Sequence, residues 1–147
     1  MTNPWQESQT LEFKRQLTDS LEKEVVAFLN SALGGDIYIG VDDDGTLVGV
    51  ENVDALMLAV SDRIRSNILP TCLGLFDVLR EEKDGKTIIR VVVTRGTEKP
   101  YYLKRYGQSP AGCFIRIGTG VQPMDTAMIE RLYAGRVRNS LDRKSVV

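Results

Sequence analysis

The stretch that decides the fold runs from Ser20 to Val50 and reads "SLEKEVVAFLNSALGGDIYIGVDDDGTLVGV". Its first half carries apolar side chains at helical spacing. These are Leu21, Val25, Phe28, Leu29, Ala32 and Leu33. Asp19 and Glu22 have the spacing of a carboxylate capping box, and the pair Gly34-Gly35 supplies a left-handed helix exit. The sequence therefore predicts an amphipathic helix that ends at the double glycine.

The second half of the stretch predicts a β-hairpin. Ile37–Val41 would pair with Thr46–Val50 around an Asp44-Gly45 turn, because Asp-Gly favours tight hairpin turns. Further elements follow from hydrophobic periodicity and from Gly and Pro signals. They are a helix over Val53–Asn67 stopped by Pro70, β-segments over Cys72–Glu82 and Thr87–Thr94, strands over Tyr101–Leu103 and Cys113–Ile117, and a last helix capped by Asp125. "TIIRVVV", within the second β-segment, is nearly all apolar and predicts a central strand.

This order of elements predicts an α+β fold with a mixed, mainly antiparallel sheet and about three helices. The length of 147 residues suits one domain, which we assign to residues 1–137, with a flexible basic tail over 138–147. No apolar run reaches the ~20 residues of a membrane helix, and no signal-peptide pattern is present. We therefore expect a cytoplasmic protein without a membrane partner, whose Cys72 and Cys113 are buried thiols.

Composition limits the chemistry. The chain has no histidine, which excludes catalytic dyads and metal sites that need imidazole. Charge is uneven: Met1–Asp62 holds 12 acids and 3 bases, a net −9, whereas Arg63–Val147 holds 16 bases and 8 acids, a net +8, which together give the overall −1. A basic half of this strength is typical of proteins that bind phosphate backbones, although it would equally suit two surfaces that attract each other.

Basic and aromatic residues are interleaved in the second half, a pattern typical of binding to single-stranded or distorted nucleic acid. The residues predicted to bind are Lys14, Arg15, Lys99, Tyr101, Lys104, Arg105 and Arg116, with Arg131, Arg136 and Arg138 as a candidate extension on the last helix. Strand alternation would bury about half of such residues, so some of them could instead belong to the core or to a solvated rim.

Several blocks together resemble the Schlafen-type Alba-like domain family. They are "ESQTLEFK", "VVAFLNSALGGDIYIGVDDDGTLVGV", Pro70 after the second helix, "KPYYL" and "FIRIGTG", and the resemblance extends from Glu7 to Tyr133. It implies a Schlafen/Alba-like fold and binding of DNA or RNA, as in bacterial transcriptional regulators or helicase-related proteins. It also implies a homodimer, and a further C-terminal domain, often a winged helix, outside this chain. Binding needs no cofactor, and ATP is not expected because the chain has no P-loop.

In the Schlafen branch, the resemblance implies an alternative, a metal-dependent endoribonuclease. Glu7, Glu12 and Asp42 would then be the catalytic carboxylates and the ligands of Mg²⁺ or Mn²⁺, and Lys14 would contact the phosphate. Asp43 or Asp44 could take the place of Asp42. The acids could also be surface and turn residues, with Glu12 paired to a neighbouring base. A third interpretation is a dimerisation or protein-interaction module.

Overall fold

The structure, a computed structural model, describes the backbone of residues 5–145 and the side chains of residues 5–136. It contains three helices and eight strands within that range. In chain order they are β1 Leu11–Lys14, α1 Leu21–Leu29, β2 Gly35–Ile39, α2 Val53–Asn67, β3 Ile68–Leu69, β4 Phe76–Lys83, β5 Lys86–Val93, β6 Tyr102–Leu103, β7 Phe114–Ile117, β8 Gly120–Pro123 and α3 Thr126–Ser145.

The main sheet has the order β1-β2-β5-β4. β1 and β2 are parallel, whereas β2 with β5 and β4 with β5 are antiparallel. The short pairs β3-β6 and β7-β8 are also antiparallel. The predicted α+β class with a mixed, mainly antiparallel sheet is confirmed. The apolar segment that forms β5 lies inside the sheet, which confirms its prediction as a central strand.

The core lies where α1 and α2 cover one face of the sheet. Seven of the nine residues of α1 are buried, including Val25, Phe28 and Leu29, which are fully enclosed. They pack with Ile37 and Ile39 of β2 in a single apolar cluster. Burying side chains of this size stabilises the fold by ~1.5–3 kcal/mol each. The helix α1 is therefore firmly held in the core, and it positions the site residues that pack around it.

The prediction that Ile37–Val41 and Thr46–Val50 pair as a β-hairpin was wrong. Both edges of β2 are already occupied, by β1 on one side and β5 on the other. The returning segment makes only an isolated bridge between Val41 and Leu47, and the Gly40 carbonyl accepts from Val48 N at 2.8 Å. Asp42 and its acidic neighbours therefore lie in a turn beyond the end of the sheet.

The predicted capping box at Asp19 and Glu22 was also wrong. The N-cap residue of α1 is Ser20, which makes no side-chain cap, and Glu22 instead pairs with Arg63 of α2. The predicted helix exit at Gly34-Gly35 was wrong as well: α1 ends at Leu29, with Asn30 as its C-cap, and a turn over residues 30–33 leads to Gly34. The φ of Gly34 is +70°, and a Cβ there would lie 2.3 Å from the Val93 carbonyl oxygen. Glycine is needed at that position for both conformation and space.

Other boundaries follow the local signals. The bounds predicted for α2 are those observed, and a turn at Asp84 and Gly85, both with positive φ, joins β4 to β5. Asp125 caps α3, since its Oδ1 accepts from Met128 N at 2.8 Å. The strand β8 had not been predicted. The α3 backbone continues to Ser145, and the flexibility predicted for 138–147 stays a prediction, because those side chains lie outside the described residues.

The described helices include none with the length and apolar character to cross a membrane. Both cysteines are buried free thiols, as expected.

Candidate functional site

Four ionisable side chains meet between α1, β1 and β7, and we name them the buried charge cluster: Glu12 and Lys14 of β1, Glu24 of α1 and Arg116 of β7. Strand alternation turns Glu12 and Lys14 to the same face, towards α1. Lys14 Nζ lies 2.5 Å from Glu24 Oε1 and 3.9 Å from Glu12 Oε1, and it donates to Ser20 Oγ at 3.2 Å. Lys14 therefore links two buried carboxylates.

Arg116 completes the buried charge cluster from the opposite side. Its side chain is fully enclosed, and its Nη2 lies 2.9 Å from Glu12 Oε2. It donates to the carbonyl oxygens of Ser8, at 2.6 Å, and Leu11, at 3.1 Å, while its guanidinium lies 4.8 Å from the centre of the Phe28 ring. Arg116 fixes the N-terminal segment to the core. The prediction that it binds nucleic acid is corrected, because an enclosed guanidinium cannot reach a phosphate.

Several polar atoms of the buried charge cluster lack hydrogen bonds. Glu24 Oε2, Glu12 Oε2 and Arg116 Nη1 are buried without a partner of good geometry among the described residues. Burial raises the pKa of Glu24 to about 7, with Lys14 opposing this shift and Glu12 adding to it. Lys14 and Arg116 face both acids, so the cluster does not present a free negative site.

Glu7 lies near the buried charge cluster, whereas Asp42 is engaged elsewhere. Glu7 Oε1 accepts from Phe13 N at 3.2 Å, and burial, followed by the charge of Glu12, raises the pKa of Glu7. Both oxygens of Asp42 accept from Arg15 Nη1, at 3.0 and 3.1 Å. Each predicted catalytic acid therefore already has a partner in the structure.

The predicted metal ligands are not grouped around a common point in this structure. Within the part of the chain that the structure describes, no three His, Cys, Asp or Glu side chains are grouped to hold an ion. Glu12 faces two cations of the buried charge cluster, and Asp42 faces Arg15, so a metal ion would have to displace these bases. The ion site formed by Glu7, Glu12 and Asp42 stays a prediction, and we derive no reaction step from it.

Tyr101 belongs to the core rather than to a binding surface. Its side chain is 1% exposed, its amide donates to Asn30 Oδ1 at 2.7 Å, and its hydroxyl accepts from Glu98 N at 3.2 Å. Asn30 Nδ2 in turn donates to the carbonyl oxygens of Tyr101 and Phe114, both at 3.0 Å. We therefore correct the binding role predicted for Tyr101, because a buried ring offers no stacking face.

The segment after β6 is exposed, and we name Lys104, Arg105 and Tyr106 the basic corner. All three side chains are exposed, Tyr106 by 49%, and the Arg105 guanidinium lies 5.4 Å from the centre of the Tyr106 ring. Neither cation forms an ion pair with any described carboxylate. Their charge is therefore available to a ligand.

Backbone hydrogen bonds hold the basic corner in place. Lys104 N donates to the Asn67 carbonyl at 2.9 Å, and Tyr106 N donates to the Leu103 carbonyl at 3.1 Å. A cleft of about 230 Å³ lies beside it, lined by Glu22, Asn67, Leu103, Arg105 and Tyr106. Glu22 brings no net charge, since Arg63 pairs with it. The cleft therefore combines an aromatic ring, a cation and amide and carboxylate groups.

The family model described as Schlafen, AlbA_2 matches residues 7–125. The chain belongs to the Schlafen AlbA_2 family. No curated protein matches it significantly. Among solved structures, the Schlafen AlbA_2 domain is similar to the N-terminal domain of a RecG-related protein from Nitrosomonas europaea, with 27% identity, a TM-score of 0.55, and coverage of 76% of this chain and 78% of that one.

A second similar structure is the DIP2311 protein from Corynebacterium diphtheriae, with 21% identity and a TM-score of 0.60. The match covers 84% of this chain but only 23% of DIP2311. This similarity shows that the fold is shared. The Schlafen AlbA_2 domain thus corresponds in extent to about a quarter of the longer protein.

Glu24 is the residue of the site that had not been predicted. One signal for it exists in the sequence: Glu24 is three residues after Leu21 and four before Phe28, which places it on the apolar face of α1. A charged residue in an apolar stripe needs a buried partner. The partner, Lys14, lies on β1, and the hydrophobic periodicity of the sequence does not predict a contact between Lys14 and Glu24.

Proposed function

We propose that this Schlafen AlbA_2 domain binds DNA or RNA through the basic corner. The observation that carries this proposal is the exposure of Lys104 and Arg105, beside an exposed tyrosine ring, without a described carboxylate as partner. Cations that follow a phosphate backbone, combined with a ring on which a base can stack, are typical of single-strand binding. The neighbouring cleft is lined by the side-chain amide of Asn67, whose Nδ2 already donates to Glu22 Oε2 at 2.8 Å.

Family membership supports the same proposal. One structural relative is the N-terminal domain of a protein named for its relation to a DNA helicase, and the match covers most of both chains. We extend the proposal to the biological role: a nucleic-acid-binding part of a bacterial, cytoplasmic transcriptional regulator or helicase-related protein. The homodimer and the further C-terminal domain implied by the resemblance belong to this proposal as well. Light scattering of the purified chain tests the dimer.

Fluorescence anisotropy with labelled single-stranded DNA and RNA of one sequence tests the binding site. Tyr106→Ala should weaken binding about tenfold or more, because stacking of one base contributes ~1–3 kcal/mol, whereas Tyr106→Phe should retain it. Lys104→Ala with Arg105→Ala should weaken binding to both polymers. The matched control removes two exposed cations of the β4–β5 hairpin, through Arg80→Ala with Lys86→Ala, and should leave affinity within twofold.

Two results would redirect the proposal. If Mn²⁺ caused cleavage of RNA that Asp42→Asn abolished, the endoribonuclease alternative would replace it. Asp42 is suited to this comparison because its pair with Arg15 is exposed, so the substitution should not disturb the core. If neither DNA nor RNA bound at any salt concentration, the interaction-module interpretation would remain.

A further inference from the structure

A second basic concavity lies between α3 and the loop that follows β5, and we name it the α3 cleft. Its volume is about 290 Å³, close to the ~300 Å³ at which small-molecule sites begin. Three cations line it, Lys99, Arg131 and Arg136, and no acidic side chain among residues 5–136 does. The α3 cleft is separate from the basic corner, with which it shares no lining residue.

Backbone oxygens, rather than carboxylates, position two of these cations. Lys99 Nζ donates to the Ser31 carbonyl at 2.9 Å, and Arg136 Nη1 donates to the Glu98 carbonyl at 3.0 Å. Among the ion pairs of residues 5–136, none includes a cation of the α3 cleft. A carbonyl oxygen orients a cation without cancelling its charge, so the field in the α3 cleft stays strongly positive.

Neighbouring groups reinforce this positive field. Burial and then the charge of Arg95 lower the pKa of Lys99, which indicates crowding of like charges around a partly buried ammonium. The nearest acids along the chain, Glu98 and Glu130, are both exposed and do not line the α3 cleft. An anion that entered would therefore meet three cations and no carboxylate from the described side chains.

The α3 cleft also has room for such an anion. Gly135 lies in its lining, and a Cβ at that position would have no atom within 4 Å. A larger residue there would project into open space, and leucine is a better helix former than glycine by roughly 0.8 kcal/mol. Gly135→Leu is thus expected to narrow the α3 cleft without weakening α3.

We propose that the α3 cleft binds a phosphate monoester, the group found at the end of a nucleic-acid strand. The inference rests on the proposed function, since the same strand would occupy the basic corner. Three cations match a monoester better than an internal diester, because a monoester carries about −1.5 to −2 charges at pH 7. The planar forks of Arg131 and Arg136 suit the oxygen geometry of a phosphate.

Binding of one oligonucleotide prepared with hydroxyl ends, with a 5′-phosphate or with a 3′-phosphate tests this proposal. One phosphorylated form should bind about tenfold more tightly than the hydroxyl form at pH 7.5, in line with one charge-assisted contact pair. The advantage should decline as the pH falls through about 6, where the monoester dianion takes up one proton and becomes a monoanion. Equal affinity of all three oligonucleotides would overturn the assignment to strand ends.

Variants separate a binding role from a structural one. Arg131→Gln and Gly135→Leu should each remove the advantage of the terminal phosphate, and Gly135→Leu, which removes no charge, should leave affinity for the hydroxyl form unchanged. Arg80→Gln, an exposed arginine on β4, is the matched control and should retain the advantage. If both variants kept the full preference for phosphorylated ends, the α3 cleft would not be the phosphate site.

Inorganic phosphate distinguishes the two sources of this chemistry. If millimolar phosphate raised the Tm of the wild-type chain but not that of Arg131→Gln, while the three oligonucleotides bound equally, the α3 cleft would be a site for a free phosphomonoester. If the three oligonucleotides bind equally and phosphate does not raise the Tm of the wild-type chain, the inference fails. Salt-dependent binding of the hydroxyl oligonucleotide would still support the proposed function, so the two failures are distinguishable.

Discussion

Replacing Arg116 by methionine should destabilise the domain more than removing any exposed arginine. The substitution keeps an unbranched apolar side chain but removes the guanidinium, which lies 2.9 Å from Glu12 Oε2 and 4.8 Å from the centre of the Phe28 ring. The Glu12 side chain is 11% exposed, so its carboxylate would stay buried with only Lys14 at 3.9 Å as a nearby cation. The carbonyl oxygens of Ser8 and Leu11 would also lose the Arg116 donor, while each would keep its hydrogen bond from the backbone amide of the other.

The size of the effect follows from the cost of an unpaired buried charge. Removing one partner of a buried pair costs ~3–5 kcal/mol, and Lys14 reduces this to an expected loss of about 3 kcal/mol. A domain of this size is stable by ~5–15 kcal/mol, so Arg116→Met should still fold. With an m value of about 2 kcal/mol per M, the urea midpoint should fall by roughly 1.5 M.

Urea unfolding followed by circular dichroism measures this loss. Arg80→Met, at an exposed site, is the matched control and should change stability by less than ~0.5 kcal/mol. Adding Glu12→Leu to Arg116→Met should recover much of the lost stability, since an apolar pair replaces the buried ion pair. A loss below 1 kcal/mol for Arg116→Met, or strictly additive effects in the double variant, would refute the reasoning about the buried charge cluster.

Three further predictions concern the interior. Because burial raises the pKa of Glu24 from 4.5 to about 7, the folded state binds a proton that the unfolded state releases, so stability should fall as the pH rises from 4.5 to 7. Glu24→Gln should flatten this slope in urea titrations; an unchanged slope would exclude Glu24 as its source. Gly96→Ala should lower the free energy of unfolding by ~1–3 kcal/mol, because the new Cβ would lie 2.0 Å from the ring of Tyr101. Gly120→Ala should lower it much less, and equal Tm values for the two variants would contradict this packing. The Cys113 thiol, whose pKa burial raises to about 11, should react with a thiol reagent only after unfolding, and fast labelling of the native protein would contradict its enclosure.

Local signals in the sequence were sufficient for most of the elements. Pro70 follows α2 closely, and a Pro restricts the residue before it, so the end of that helix could be predicted. The Asp84-Gly85 pair determines the tight turn between β4 and β5, because both residues adopt the positive φ that this turn needs. Such features depend on near neighbours in the chain, and they are readable without knowledge of the fold.

Long-range pairing could not be predicted in the same way. The partners of β2 are β1 and β5, and neither is the segment that follows it after the acidic turn. In β7, Arg116 is buried whereas Ile117 is 55% exposed, the reverse of what hydrophobicity alone indicates. Arg116 points inward because Glu12, more than a hundred residues earlier, supplies the opposite charge. Glu12 and Arg116 were both predicted as site residues from the sequence, but the contact between them was not predicted.

The salt dependence of nucleic-acid binding tests the central claim most directly. For single strands, log Kd should rise linearly with log salt concentration, with a slope of about 0.7 for each phosphate neutralised. Removing both cations of the basic corner, Lys104 and Arg105, should lower that slope by about 1.4, and the hairpin control of equal charge should leave it unchanged. An unchanged slope in the basic-corner variant, or binding insensitive to salt, would contradict the account.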